Sequence, residues 1–294
     1  MTAPPLDRAT LVLDGGLSDQ LLAQGCDLSG ALWTARLLAD EPEQLVAAHA
    51  AQVRAGARVV TTASYQASFE GFARRGIGRA AAARLFGDSV RLARRAGAEW
   101  VAASVGPYGA VRADGGEYRG RYGLSVAELA RFHRPRVAAL AEAGPDVLAL
   151  ETVPDIVEAE ALLRAVRGCG IPVWLSYTIA GDRTRAGQPL ADAFALAADE
   201  PRVIAVGVNC CAPGDVADAV ALAAGVTGKP VVAYPNSGEE WDPVGRRWRG
   251  PGTYAPGAAV SWRAAGARLI GGCCRVGAGH IAAVAAALAA APAG

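Results

Sequence analysis

Short, nearly unbroken apolar runs recur along the whole chain, at residues 10–13, 58–62, 100–104, 146–150, 173–177, 203–208, 231–234 and 268–270. Runs of this kind are expected of strands buried on both faces. Between them lie helix-like stretches rich in Ala, Leu and Arg, at 41–55, 78–96, 125–143, 155–167, 215–224, 256–265 and 279–290. The stretch from Glu41 has Pro42 near its start and Gly56 at its stop. The stretch from Ser125 opens on Ser-x-x-Glu, with Glu128 closing a capping box. Pro135 inside it is expected to kink the helix. Strand and helix alternating eight times predicts a single (β/α)8 barrel over residues 1–294, with an open doubly wound sheet as the alternative. No dinucleotide glycine fingerprint or phosphate-binding loop follows a strand, and nothing reads as a linker. Residues 107–122 and 237–254 read as long loops after strands.

Composition narrows the function classes. Apolar residues make up 52% of the 294 and charged residues 19%, which supports a large core and excludes disorder. A net charge of +1 without a basic block gives no electrostatic case for nucleic acid or an anionic membrane. The longest apolar run, near 281–291, is too short to span a bilayer. The first six residues lack a basic segment followed by an apolar one, so a cytoplasmic protein without a signal peptide is expected.

In a barrel the C-terminal strand ends converge on one mouth. Here they carry Asp14-Gly15-Gly16, residues 61–64, Ser104, Glu151-Thr152, residues 176–178, Asn209-Cys210, Asn236-Ser237 and Cys273-Cys274. The opposite ends read as plain turns. Six cysteines are too few for a disulfide scaffold, and four of them form two Cys-Cys dipeptides. Strands six and eight of a closed barrel are next-but-one neighbours. Cys210, Cys273 and Cys274 can therefore reach one ion, and three thiolates with one open position suit a catalytic zinc. A lone cysteine is more often a small buried apolar group. Two pairs at matching barrel positions favour the metal. Exposed site thiolates also predict oxidation to a disulfide with loss of the metal.

These segments resemble the homocysteine S-methyltransferase family. Residues 207–210 (Gly-Val-Asn-Cys) and 271–274 (Gly-Gly-Cys-Cys) are similar to its two zinc motifs. Residues 13–16, 32–34, 62–68, 150–152 and 234–239 resemble further family segments in the same order. The resemblance implies a zinc-dependent barrel that transfers a methyl group to the thiol of L-homocysteine, giving methionine. It places zinc on Cys210, Cys273 and Cys274. It gives Asp14 and the Gly15–Gly16 backbone to the amino-acid end of the substrate, and Glu151 to its ammonium group. Trp33, Ser64, Tyr65 and Asn209 are further expected substrate-binding residues. Cys211 matches no ligand.

The chemistry fits such a set. A free thiol with a pKa near 8.5 is only a few per cent thiolate at neutral pH, and metal binding deprotonates it without a protein base. The donor must be a methyl cation equivalent. A sulfonium (S-methylmethionine, or S-adenosylmethionine) is expected over betaine, because Gln66 and Thr152 stand where the betaine-using branch has tyrosines. A non-catalytic zinc- or thiol-binding barrel is the other alternative, and a metal-free cysteine enzyme a third. His49 and His133 are expected to be partly buried or surface histidines, His280 a helix-start residue, and Cys26 and Cys169 inert. The paired arginines at 74–75, 94–95 and 246–247 are expected to be solvated.

Overall fold

A computed structural model describes residues 4–30, 32–242 and 247–291, with the side chains of 240–247 outside that description. Eight strands form one parallel sheet: β1 (Leu11–Val12), β2 (Val59–Thr61), β3 (Trp100–Val105), β4 (Val147–Val153), β5 (Val173–Tyr177), β6 (Val203–Asn209), β7 (Val231–Tyr234) and β8 (Ala267–Ile270). Their order follows the chain, and β8 pairs with β1 in parallel. A parallel bridge between Leu13 and Val59 joins β1 to β2 and closes the ring. This is the expected (β/α)8 barrel.

Side chains alternate across each strand, so one set fills the barrel and the other faces the helices. Leu11, Leu13, Val59, Ala102, Val147, Ala149, Trp174, Ala205, Val232 and Leu269 pack together inside. Val12, Val60, Val101, Ala103, Leu148, Leu150 and Val206 belong to the outer layer beneath the helices. Alanines at 102, 149 and 205 leave room for the indole of Trp174, which is fully buried.

Several elements depart from the sequence reading. Strand β4 runs to Val153 and β6 to Asn209, so Glu151, Thr152 and Asn209 are strand residues. A helix over Leu190–Ala198 was not anticipated; it fills the place between β5 and β6, behind a hairpin pairing Ile179–Ala180 with Arg183–Thr184. The helix Val126–Glu142 continues through Pro135, and its capping box is present: Ser125 accepts from the Glu128 N–H, and the Ser125 N–H donates to the Glu128 carboxylate at 2.9 Å. Residues 107–122 are structured, with a helix at Tyr108–Arg112 and a 3-10 turn at Gly116–Tyr118. A hairpin of Glu240–Asp242 with Arg247–Arg249 occupies the later loop. His49 and His133 are fully buried, contrary to expectation. His133 pairs with Glu158 at 2.9 Å, whereas neither ring nitrogen of His49 has a partner. Burial accordingly holds the His49 pKa down at about 4. Arg246 lies outside the described residues.

Candidate metal centre and substrate pocket

At the C-terminal mouth the sulfurs of Cys210, Cys273 and Cys274 lie within 4.8 Å of one another. Cys210 leaves β6 with φ 48°, and its N–H donates to the Tyr234 carbonyl at 3.2 Å. Cys273 and Cys274 lie in a turn past β8. The Cys273 N–H donates to the Pro235 carbonyl at 2.7 Å, and the Cys274 N–H to the Asn236 side-chain oxygen at 3.2 Å. Two turns from neighbouring strands thus brace each other. The Cys210 and Cys273 sulfurs are in bonding contact as a disulfide, with Cα atoms 5.6 Å apart, and Cys274 Sγ lies 4.0 Å from Cys273 Sγ.

The donor set fits one ion. Zinc–sulfur bonds of about 2.3 Å in tetrahedral geometry put ligand sulfurs about 3.8 Å apart. The Cys273–Cys274 separation matches that spacing, and reduction of the disulfide frees the third thiol. Cys211 is different. It is fully buried, and burial pushes its thiol up to about 12, so it stays protonated.

Two carboxylates stand at the mouth. Asp14, at the end of β1, accepts from the Thr61 N–H at 2.8 Å and from the Thr61 hydroxyl. Glu151 accepts from the Ser104 hydroxyl and, at 3.0 Å, from the Tyr234 hydroxyl. Burial raises both pKa values, that of Asp14 to about 8, and the charge of Glu151 adds to the Asp14 shift. These are acids whose ionised forms lack a counter-charge.

The other expected residues divide. Trp33 packs its ring edge-on to Tyr65 at 6.4 Å, and both rings are half-buried. Asn209 is fully buried; its oxygen accepts from the Thr152 N–H and the Ser176 hydroxyl, both at 2.7 Å, and its amide donates to the Thr152 hydroxyl. It staples β4, β5 and β6 beneath the cysteines and presents no open face. Ser64 is likewise fully buried, donating to the Ser104 carbonyl at 2.7 Å, and links the turns after β2 and β3. The glycine N–H groups expected to hold the substrate carboxylate are engaged within the protein. Gly15 donates to Gln52 at 3.3 Å and Gly16 to the Val276 carbonyl at 2.9 Å. Glycine is required there for space: a Cβ on Gly15 would lie 2.1 Å from the Val276 carbonyl oxygen, and one on Gly16 2.7 Å from that of Cys273. His280 caps its helix, accepting from the Gly277 N–H at 3.3 Å, as expected.

The structure adds residues the sequence did not single out. Tyr118 stands near Cys274, and Tyr65 near Thr152. The Thr152 hydroxyl also points to Cys210 Sγ at 3.7 Å. Arg136, fully buried, donates to the carbonyls of Gly106 and Tyr65 at 3.0 and 2.8 Å. Four of the six non-glycine residues with positive φ among the described residues are Trp33, Thr152, Cys210 and Arg275, all in these segments. Such strain is concentrated where a site demands it.

Three strand-end thiols in a (β/α)8 barrel match one family. Residues 11–288 fit the family model for homocysteine S-methyltransferase. The chain belongs to the homocysteine S-methyltransferase family. The homocysteine S-methyltransferase of Escherichia coli K12 is 44% identical over 93% of this chain and 94% of its own. Homocysteine S-methyltransferase YbgG of Bacillus subtilis is 41% identical over 90% of both. The metallated form of the homocysteine methyltransferase MmuM from Escherichia coli superposes with a TM-score of 0.85 at 42% identity, covering 95% of this chain and 96% of that one. Its oxidised form superposes at 0.86. Membership makes this chain a methyltransferase enzyme, with homocysteine and a methyl donor as its substrates. Among the described residues no helix is long and apolar enough to cross a membrane.

Proposed function

We propose that residues 1–294 form a single zinc-dependent barrel that methylates the thiol of L-homocysteine from a sulfonium donor, S-methylmethionine or S-adenosylmethionine, giving methionine. The observation that carries the reading is the convergence of the Cys210, Cys273 and Cys274 sulfurs within 4.8 Å. These three would hold Zn2+, which when bound lowers the pKa of a coordinated thiol and so supplies the nucleophile without a protein base. Three reduced thiols suit a reducing cytoplasm.

The chain's own residues orient the substrate. Glu151 receives the homocysteine ammonium, its carboxylate aimed by the Ser104 and Tyr234 hydroxyls. Asp14 adds a second negative group within its field. An arriving ammonium supplies the counter-charge both acids lack, so each releases any proton it held as substrate binds. Gly15 and Gly16 shape the turn beside Cys273, and their N–H groups are not available for the substrate carboxylate. Trp33 and Tyr65 offer aromatic faces to a cationic donor. Asn209 and Ser64 act through the strands and turns they tie together.

A donor competition tests the reading. Zinc-loaded protein receives homocysteine with S-methylmethionine, S-adenosylmethionine or betaine, and methionine and zinc are quantified together. Methionine from a sulfonium is expected. Methionine from betaine alone refutes the donor assignment, and bound zinc with no methionine from any donor points to a non-catalytic zinc- or thiol-binding barrel.

A further inference from the structure

The loop after β3 carries into the mouth a carboxylate that no step above uses. Glu117 lies in the 3-10 turn Gly116–Tyr118, and its Oε2 is buried without a hydrogen-bond partner. The charges around it compensate it only in part: Arg119 favours its ionised form and Asp114 opposes it. Arg119 is itself paired with Asp114 at 3.4 Å. Burial raises the Glu117 pKa. An ionised carboxylate in that setting is costly until a cation arrives.

Its position is built, not incidental. The turn packs so closely on the helix Tyr108–Arg112 that a Cβ on Gly109 would lie 2.3 Å from the Gly116 carbonyl carbon. The turn lies in the loop after β3, on the face where the C-terminal strand ends converge; Tyr118 stands near Cys274, and the charge of Glu117 is felt at Cys274 and Tyr65. Tyr65 stands edge-on to Trp33. A carboxylate whose Oε2 has no hydrogen-bond partner and the rings of Trp33, Tyr65 and Tyr118 therefore share this mouth, with the Arg185 guanidinium over the Tyr118 ring at 5.7 Å. An acid beside aromatic faces is the chemistry that recognises a sulfonium or quaternary cation. Glu151, on β4, serves the other substrate.

We infer that Glu117 is the specificity-determining residue for the methyl donor, supplying the counter-charge to a sulfonium lodged among Trp33, Tyr65 and Tyr118. The inference rests on the sulfonium reading above. In the transfer, the donor's carbon–sulfur bond breaks and its electron pair returns to the donor sulfur. The methyl carbon bonds to the homocysteine thiolate. The donor leaves as a neutral thioether, so Glu117 loses its partner as the reaction completes, and release follows.

The test is Glu117→Gln, assayed with S-methylmethionine and homocysteine. Loss of a charge-assisted contact raises the donor KM about tenfold or more. The homocysteine KM, the bound zinc and the melting temperature stay close to wild type. A neutral isostere, 2-amino-5-methylhexanoate, replaces the sulfonium sulfur by CH. Wild type binds it about tenfold or more weakly than S-methylmethionine, and E117Q binds the two alike. Should E117Q fail to fold, Glu117→Asp carries the same two readouts at a displaced charge. An unchanged donor KM in a folded variant, or a donor and homocysteine KM that rise together, overturns the assignment. Wild type that uses no sulfonium fails earlier, on the donor reading itself, and is told apart by that result.

Discussion

Cys210–Cys211 follows the end of strand β6, whereas Cys273–Cys274 sits in a turn three residues past β8. The first pair divides at a left-handed turn: Cys210, with φ 48°, faces the mouth, and Cys211 enters the apolar layer beneath the helices. The second pair has left the strand. Its backbone is held by Pro235 and Asn236, and both sulfurs reach the mouth. Identical dipeptides thus contribute one thiol and two. On the proposed function, three ligands rather than four would follow from this backbone geometry and would leave a position for the substrate sulfur.

The largest test of this difference exchanges each cysteine for serine. Cys210→Ser, Cys273→Ser and Cys274→Ser are expected to lower methyl transfer by about a thousandfold or more, since metal activation is worth several kcal/mol. Cys211→Ala is expected to keep turnover within a few-fold and to cost about 1 kcal/mol of stability, read by denaturant melts. Activity loss in Cys211→Ala equal to the others would erase the distinction.

Glycine sharpens the comparison next. A Cβ on Gly207, in β6 before the first pair, would lie 1.9 Å from the Val232 carbonyl oxygen. One on Gly272, before the second, would lie 2.1 Å from a Val276 methyl. Gly207→Ala pushes on backbone across a strand pair and Gly272→Ala on the Val276 Cβ, 2.4 Å away, which no rotamer change moves; each is expected to cost about 3 kcal/mol. The second is expected to act on metal affinity as well. Asn209→Ala strands the Thr152 N–H, while the Ser176 hydroxyl keeps Tyr234 as a partner, at about 1–3 kcal/mol.

The remaining test is electrostatic. Asp14 has its pKa raised to about 8 in the fold, against about 3.9 in an unfolded chain. Between those values the folded protein holds more protons than the unfolded one, so stability falls as pH rises from about 4 through about 8. Thermal melts at pH 6, 7 and 8 are expected to show that decline, flattened in Asp14→Asn and reduced by homocysteine, whose ammonium compensates the charge. A slope that survives in Asp14→Asn would assign it elsewhere.

Much of the fold was legible because parallel barrel strands are buried on both faces and show as continuous apolar runs. The helix Leu190–Ala198 escaped because a polar hairpin precedes it, although Pro189 at its cap and Asp192 in its first turn were usable signals. The clustering of Cys210, Cys273 and Cys274 was legible from type and position alone. The fate of the Gly15 and Gly16 N–H groups was not, since it depends on Gln52 and Val276, remote in the chain. Asn209 read as substrate-facing because strand alternation does not reveal that Thr152 and Ser176 close over it. Glu117 and Tyr118 lie in a glycine-rich loop without periodicity, where only the tertiary structure brings them to Cys274.

Zinc titration of the reduced protein, under chelator competition, tests the central claim most directly. Wild type and Cys211→Ser are each expected to bind one equivalent tightly, while Cys210→Ser, Cys273→Ser and Cys274→Ser each lose it. Tight binding retained in any of those three, or lost in Cys211→Ser, would contradict a centre built from one thiol of the first pair and two of the second.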